Sequence, residues 1–397
     1  MMNIAYLVGN GFDLNLALKT SYDDFYHYFI DNCTSQEECV LNLKQEINAY
    51  VKTVSKSSFI NWADFETGFG KYTRNISSFS DLVLIYKDII ISLHNYIKHQ
   101  ESLLGVKNEG KLKKDLIFPF YYLREVDKLN AQTFISRFNK DDYKVNIITF
   151  NYTNSIEKIL GIKKANHLKI GYNHRGKPCW LNSILHIHGN IDDNILFGVN
   201  DVSQLENDNF INNHYALDLL IKPMSNKVIG SRIDEECIKI IEISNLVCLF
   251  GLSLGDSDKF WWNLIGEQLL RTDFRLIYFV KDEDLSIKQF IGKKIDYYKN
   301  FLLAKTTLSN KEKEEAKEKI YIAYNTDMFK LKIKNASLSI TDKLAFFYFF
   351  TILESETLPF NGSFDFGLIG SPKYFFKKSF IIILSILLVT LNYIQAD

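Results

Sequence analysis

The sequence is poor in proline and cysteine and carries no excess of either charge. Its 5 prolines are too few for a proline-rich linker or a loop-dominated fold. The 5 cysteines, Cys33, Cys39, Cys179, Cys237 and Cys248, are odd in number and never form a CxxC pair. That pattern points to a reducing compartment and away from a disulfide framework or structural zinc. With 47 Lys+Arg against 47 Asp+Glu, no global field steers the chain toward polyanions, and a whole-chain nucleic-acid binder is not expected. Met1 to Val8 lacks both a basic region and an apolar stretch long enough for export before Gly9 interrupts it, so a cytoplasmic protein without a secretory signal is expected.

What is present is apolar. At 47% hydrophobic and 24% charged over 397 residues, the chain can fill a large core, which excludes disorder as its dominant state. Short apolar runs recur at 3–8, 145–150, 184–188, 246–250, 275–280 and 319–324, separated by helix-length segments. Such runs read as buried strands of an α/β fold with a mainly parallel sheet flanked by helices. Between Asp13 and Asp142 no comparable run occurs. Helical periodicity is found there instead, at Ser80 to His99 and from Phe120 to Phe138, which predicts a large helical insertion (14–142) after the first strand. Gly105 to Lys114 reads as a loop, and Ser309 or Asn310 as the cap of an exposed charged helix. The expected division is an α/β domain over 1–340 and an extension over 341–397. Within that extension Ser379 to Ala396 is uncharged and follows Lys377-Lys378. As a helix it would reach about 27 Å, close to the roughly 30 Å hydrocarbon core, so it is either a membrane anchor or a buried terminal element.

Four strings sit at predicted strand ends, where parallel α/β sheets collect ligands. Gly9-Asn10-Gly11-Phe12-Asp13 supplies a tight turn that lets phosphates approach backbone N–H groups, although the third glycine of GxGxxG is replaced by Leu14. Asp13 either faces a ribose or caps the next helix. Asn151, in Phe150-Asn-Tyr-Thr-Asn154, can hydrogen-bond a ribose hydroxyl or a water without carrying charge; the alternative is that Asn151, Thr153 or Asn154 caps a helix. In His186-Ile-His-Gly189, residues two apart on a strand face one way. A two-His metal site would need ligands that the sequence does not supply. His188, freed by Gly189, is expected in the cleft as a general acid or base, with His186 a structural histidine. In Gly251-Leu-Ser-Leu-Gly-Asp-Ser-Asp258, Ser253 is the candidate phosphate or ribose contact, and Asp256, Ser257 or Asp258 caps the following helix.

Together with Asn61-Trp-Ala-Asp64-Phe-Glu66 in the insertion, these strings, in this order, resemble the AbiH family of bacterial abortive-infection proteins over roughly residues 1–330. That resemblance implies defence against bacteriophage. The family in turn looks distantly sirtuin-like, which implies a Rossmann-like fold and a site for NAD. Matched by residue, Gly9, Asn10 and Gly11 fall on the loop that holds the dinucleotide, Asn151 on the pocket asparagine, His188 on the catalytic histidine and Ser253 on the NAD-binding serine. Asn10 replaces the usual small residue, and no counterpart of the four-cysteine zinc module is present, so deacetylation is not implied. The resemblance implies hydrolysis of the nicotinamide–ribose bond, with NAD as substrate, no zinc and a phage-derived trigger. A constitutively active NAD hydrolase would poison its host, so an autoinhibited resting state relieved on infection is expected, with homo-oligomer assembly as a candidate switch; no metal site is expected. A non-catalytic nucleotide sensor and a nuclease-type toxin are the alternatives. Trp62 and Glu66 either close over the cleft or form a structural core with a paired glutamate.

Overall fold

The computed structural model describes residues 1–32, 34–52, 64–105, 107–138, 140–164, 166–282 and 290–331. Cys33, Trp62, the extension 341–397 and its apolar segment 379–396 lie outside the described residues. Among the described residues no helix is long and apolar enough to cross a membrane.

Seven strands form one sheet: β1 (Met2–Val8), β2 (Tyr143–Thr149), β3 (Leu168–Tyr172), β4 (Pro178–His186), β5 (Leu246–Phe250), β6 (Arg275–Val280) and β7 (Ile320–Tyr324), in the order β3-β4-β2-β1-β5-β6-β7. Every neighbouring pair is parallel except β3 with β4. The sequence reasoning missed β3, because Lys169 and Gly171 break its apolar run and because it lies at the sheet edge, where only Ile170 is fully buried.

β1 explains why the central strands are apolar at every position. Ile4, Tyr6 and Val8 enter the core on one side of the sheet and Ala5 and Leu7 the core on the other, as expected where helices cover both faces. The first face is covered by α6 (Glu109–Ile117), α7 (Glu125–Ile135) and α8 (Ser155–Leu160). The second is covered by α12 (Ile233–Ile243), α13 (Lys259–Gln268) and α14 (Ile291–Ala304). A third core joins α2 (Tyr22–Asp31), α3 (Glu38–Lys52), α4 (Phe65–Tyr72) and α5 (Phe79–Ser102) to the segment after β4. That segment carries α9 (Asp208–Ile211), α10 (His214–Leu220) and α11 (Lys222–Val228). The connection from β1 to β2 is therefore helical among the described residues, beginning with the short α1 (Gly11–Asn15).

Three local expectations change. The stretch expected to loop at 105–114 enters α6, because Asn108 accepts from the Lys111 N–H and caps the helix. The helix expected from Phe120 to Phe138 is split, with a 3₁₀ turn at Pro119–Tyr122 ahead of α7 and another at Ser136–Phe138. Ser309 caps α15 (Asn310–Lys317) with a reciprocal bond from Glu312, where either Ser309 or Asn310 was expected.

The two glycine strings meet in the middle of the sheet. Gly9 N–H donates to the Phe250 carbonyl and Gly11 N–H to that of Gly251, both at 2.9 Å. A Cβ on Gly11 would lie 2.5 Å from the Cα of Gly251, and one on Gly9 2.6 Å from the Gly251 carbonyl oxygen. The glycines let two strand ends press backbone on backbone. Gly11→Ala is therefore expected to lower unfolding free energy by roughly 2–3 kcal/mol, whereas Gly292→Ala, in open space in the first turn of α14, should raise it by about 0.5–1 kcal/mol. Urea denaturation of both variants checks this. Equal stabilities would contradict the close contact.

Candidate functional site

The reversal of strand order falls between β1 and β5: β1 leads to β2 on one side and β5 to β6 on the other. Ligands of open α/β sheets bind in the crevice at such a point, at the carboxyl ends of the strands. Here a cavity of about 1020 Å³ opens over the ends of β1, β2, β5, β6 and β7, with α4 at its side. Gly9, Asn10, Gly11, Asn151, His188 and Ser253 line it. Asp13 is the exception among the expected contacts.

Asp13 is 1% exposed and does not line the cavity. Its carboxylate accepts from Thr153 Oγ1 at 2.7 Å and Ser155 Oγ at 2.5 Å, tying α1 to the start of α8. Burial pushes its pKa up to about 6, with the two hydroxyls opposing. It lies inside α1 and not at its cap, and its carboxylate faces those hydroxyls and not the cavity.

The glycine loop differs from the expectation in one further respect. The N–H groups of Gly9 and Gly11 already donate to β5, and the Asn10 amide donates to the Thr20 carbonyl at 3.0 Å while its Oδ1 accepts from Thr20 Oγ1 at 2.5 Å. Asn151 is tied in as well: its amide donates to the Gly9 carbonyl at 3.2 Å, and its side chain caps no helix. Asn154 occupies the cap position of α8 without a capping bond, since its amide donates to Asp192 and its own N–H to Glu101.

The two histidines part company because β4 ends at His186. His186 contacts the Asn151 carbonyl through Nδ1 at 3.1 Å and Glu157 through Nε2 at 2.9 Å. Both partners are acceptors, which favours the doubly protonated ring. Burial pulls its pKa down, but Glu157 outweighs it and the net shift is upward. It is a structural link outside the cavity. His188 instead lies against the aromatic rings of Phe150 and Tyr152, on a turn closed by Gly189. At φ +71°, a Cβ on Gly189 would overlap the Asn194 carbonyl oxygen at 1.6 Å.

Around His188 the fold joins Glu66 and Asp258, both visible in the sequence, to a lysine that sequence reasoning missed. The Lys222 ammonium is 3% exposed and lies 2.6 Å from Glu66 Oε2, 3.2 Å from His188 Nε2 and 4.0 Å from Asp258 Oδ1. Asp258 Oδ1 is 3.5 Å from His188 Nε2, and Tyr152 Oη donates to Glu66 Oε1 at 3.1 Å. Burial opposes the charge on Lys222, but Glu66 and Asp258 overcome it and raise its pKa. Asp258 is held below the usual carboxylate range, because Lys222 and His188 outweigh burial. For Glu66 burial prevails over Lys222 and His188, and the shift is upward. An ammonium has only protons to offer, so Nε2 faces it as an acceptor; a neutral His188 then carries its proton on Nδ1.

Asp258, expected as a helix cap, occupies the cap position of α13 without a capping bond, and Asn200 donates to its carboxylate at 3.3 Å. Asp64, Phe65 and Glu66 take three adjacent jobs. Asp64 caps α4 through the Thr67 N–H, Phe65 is fully buried among Tyr26, Phe25 and Phe197, and Glu66 receives Lys222. No local pattern marks Lys222. Only its burial and its separation of 156 residues from Glu66 define its role.

Removing one member of a buried ion cluster strands the others. Lys222→Met should cost about 3–5 kcal/mol, and Glu66→Gln combined with Lys222→Met should recover at least half of that loss. Denaturant unfolding of the two single variants and the double variant tests it, and additive losses would contradict a coupled pair.

Residues 5–280, more than half of the chain, match the family model described as bacteriophage abortive infection AbiH. Among curated proteins none matches the chain. The family match and the order of the strand-end strings identify the chain as a member of the AbiH family, whose role is abortive infection against bacteriophage.

Proposed function

We propose that the protein acts in abortive infection by hydrolysing the nicotinamide–ribose bond of NAD. The observation that carries this reading is the convergence of Asn151, His188 and Ser253 on one cavity of about 1020 Å³ at the switch point of the sheet, large enough for a dinucleotide-sized ligand. In the reaction, the C1′–N bond breaks and its electron pair leaves on the pyridine nitrogen. Water oxygen bonds to C1′, and the water's proton passes to His188, giving nicotinamide and ADP-ribose. The oxocarbenium-like transition state asks the protein mainly to hold the ribose and place one water. Asn151 serves that purpose, and Ser253 contacts ribose or phosphate. Because the N–H groups of Gly9 and Gly11 are engaged with β5, these glycines contribute by allowing close approach rather than by donating. Proton uptake at Nε2 moves its contact from Lys222 to Asp258, 3.5 Å away, whose carboxylate stabilises the imidazolium.

The engagement of Nε2 by Lys222 also favours a second reading, in which the cavity binds a nucleotide without turning it over and reports it to a partner. Purified protein incubated with NAD, with and without phage extract, distinguishes the two when nicotinamide is followed by chromatography. The enzymatic reading predicts nicotinamide release that falls by about 100-fold or more in His188→Ala and Asn151→Ala. NAD bound but unconsumed in every condition would contradict hydrolysis and leave the sensor.

A further inference from the structure

The edge of the sheet opposite β7 carries a feature that the strand-end cavity does not use. Lys144 of β2 pairs in register with Trp180 of β4, and Trp180 pairs in register with Lys169 of β3. Their chain neighbours Tyr143, Val145, Cys179, Leu181 and Ile170 all enter the core on the side of α6 to α8. Lys144, Trp180 and Lys169 therefore stand together on the other face, a lysine, an indole and a lysine in one row across three strands. None of the three belongs to the core formed with α12 to α14 on that face, and Lys169 is exposed while Lys144 and Trp180 are half-buried. The exposed ring of His167 stacks on Trp180 at 4.4 Å and 7°. Beside the row, Asn182 donates to Asn146 at 3.2 Å.

Charge is segregated here. From Lys158 to Ile191 the sequence has six Lys or Arg and no Asp or Glu. Among the described residues, the exposed Lys163, Lys164, Arg175 and Lys177 have no carboxylate partner. Among the described residues, Asp142 is an acid that touches the row, accepting from the Trp180 indole at 3.4 Å. A neutral total charge is blind to such a local arrangement, and the expectation of no nucleic-acid partner rested on that total.

We propose that this face binds a single-stranded nucleic acid. Flat rings on a sheet offer stacking surfaces to unpaired bases, and flanking lysines meet the phosphates on either side. Stacked bases need an exposed ring, and His167 supplies one that continues the indole. A duplex hides its bases and cannot use this surface, and an acidic protein partner would meet the lysines but gain nothing from the ring stack. The surface is separate from the cavity, so this inference does not depend on NAD hydrolysis.

Fluorescence anisotropy of the full chain with labelled oligo-U, oligo-dT and a duplex tests it. Single strands of RNA, DNA or both should bind, and the duplex more weakly. His167→Ala and Trp180→Ala should each weaken binding by about 10-fold, with Trp180→Phe close to wild type. Lys144→Gln with Lys169→Gln should reduce the slope of log affinity against log salt by about 1.4. Lys311→Gln, on exposed α15, should change neither. Because His167 and Lys169 are exposed, their variants keep the test valid if Trp180→Ala does not fold. No single-strand binding at low salt, preference for the duplex, or binding indifferent to His167 and the lysine pair would overturn the proposal.

Discussion

A buried ammonium with two carboxylates and a histidine around it organises this protein. Lys222, Glu66, Asp258 and His188 are brought together by four separate parts of the chain: the start of α11, the first turn of α4, the start of α13 and the turn after β4. A buried charge without partners costs several kcal/mol, so these elements cannot separate without exposing or stranding it. The helical insertion is thereby fastened to the sheet at the cavity wall. Tyr152 extends the cluster to the end of β2 by donating to Glu66. The position of His188, with its Nε2 held against Lys222, follows from this arrangement more than from its own strand.

The second constraint is backbone contact between the Gly9–Gly11 and Gly251 turns. It explains two glycine strings at once, and it differs from the phosphate-cradle explanation that such strings invite. Their N–H groups are used to join β1 to β5, which sets the crevice at the switch point of the sheet. The chain brings Asn151 and Ser253 to this crevice, while Asp13 is withdrawn into a hydroxyl cage behind it. The residues lining a site and the residues holding it open are here interleaved in the same short strings.

Strand runs buried on both faces could be seen in the sequence, because parallel strands are apolar at every position; β3 could not, since an edge strand whose buried Ile170 is flanked by Lys169 and Gly171 leaves too short a pattern. His188 and Asn151 were visible as polar residues directly after apolar runs. Lys222 was not: an isolated lysine next to a proline has no periodicity, and its meaning arises from a contact 156 residues away. Asp258 was seen but given the ordinary role of an acid before a helix. The row of Lys144, Trp180 and Lys169 was equally hidden, because register across strands is not written in any one of them.

The central claim is that defence acts through the strand-end cavity, with His188 and Asn151 at its working end. Plating efficiency of a phage restricted by the wild-type protein tests this most directly, in hosts carrying wild type, His188→Ala or Asn151→Ala at matched protein levels and with matched melting temperatures. The account predicts that both variants lose protection and plate close to an empty host. Full protection by both folded variants would contradict it.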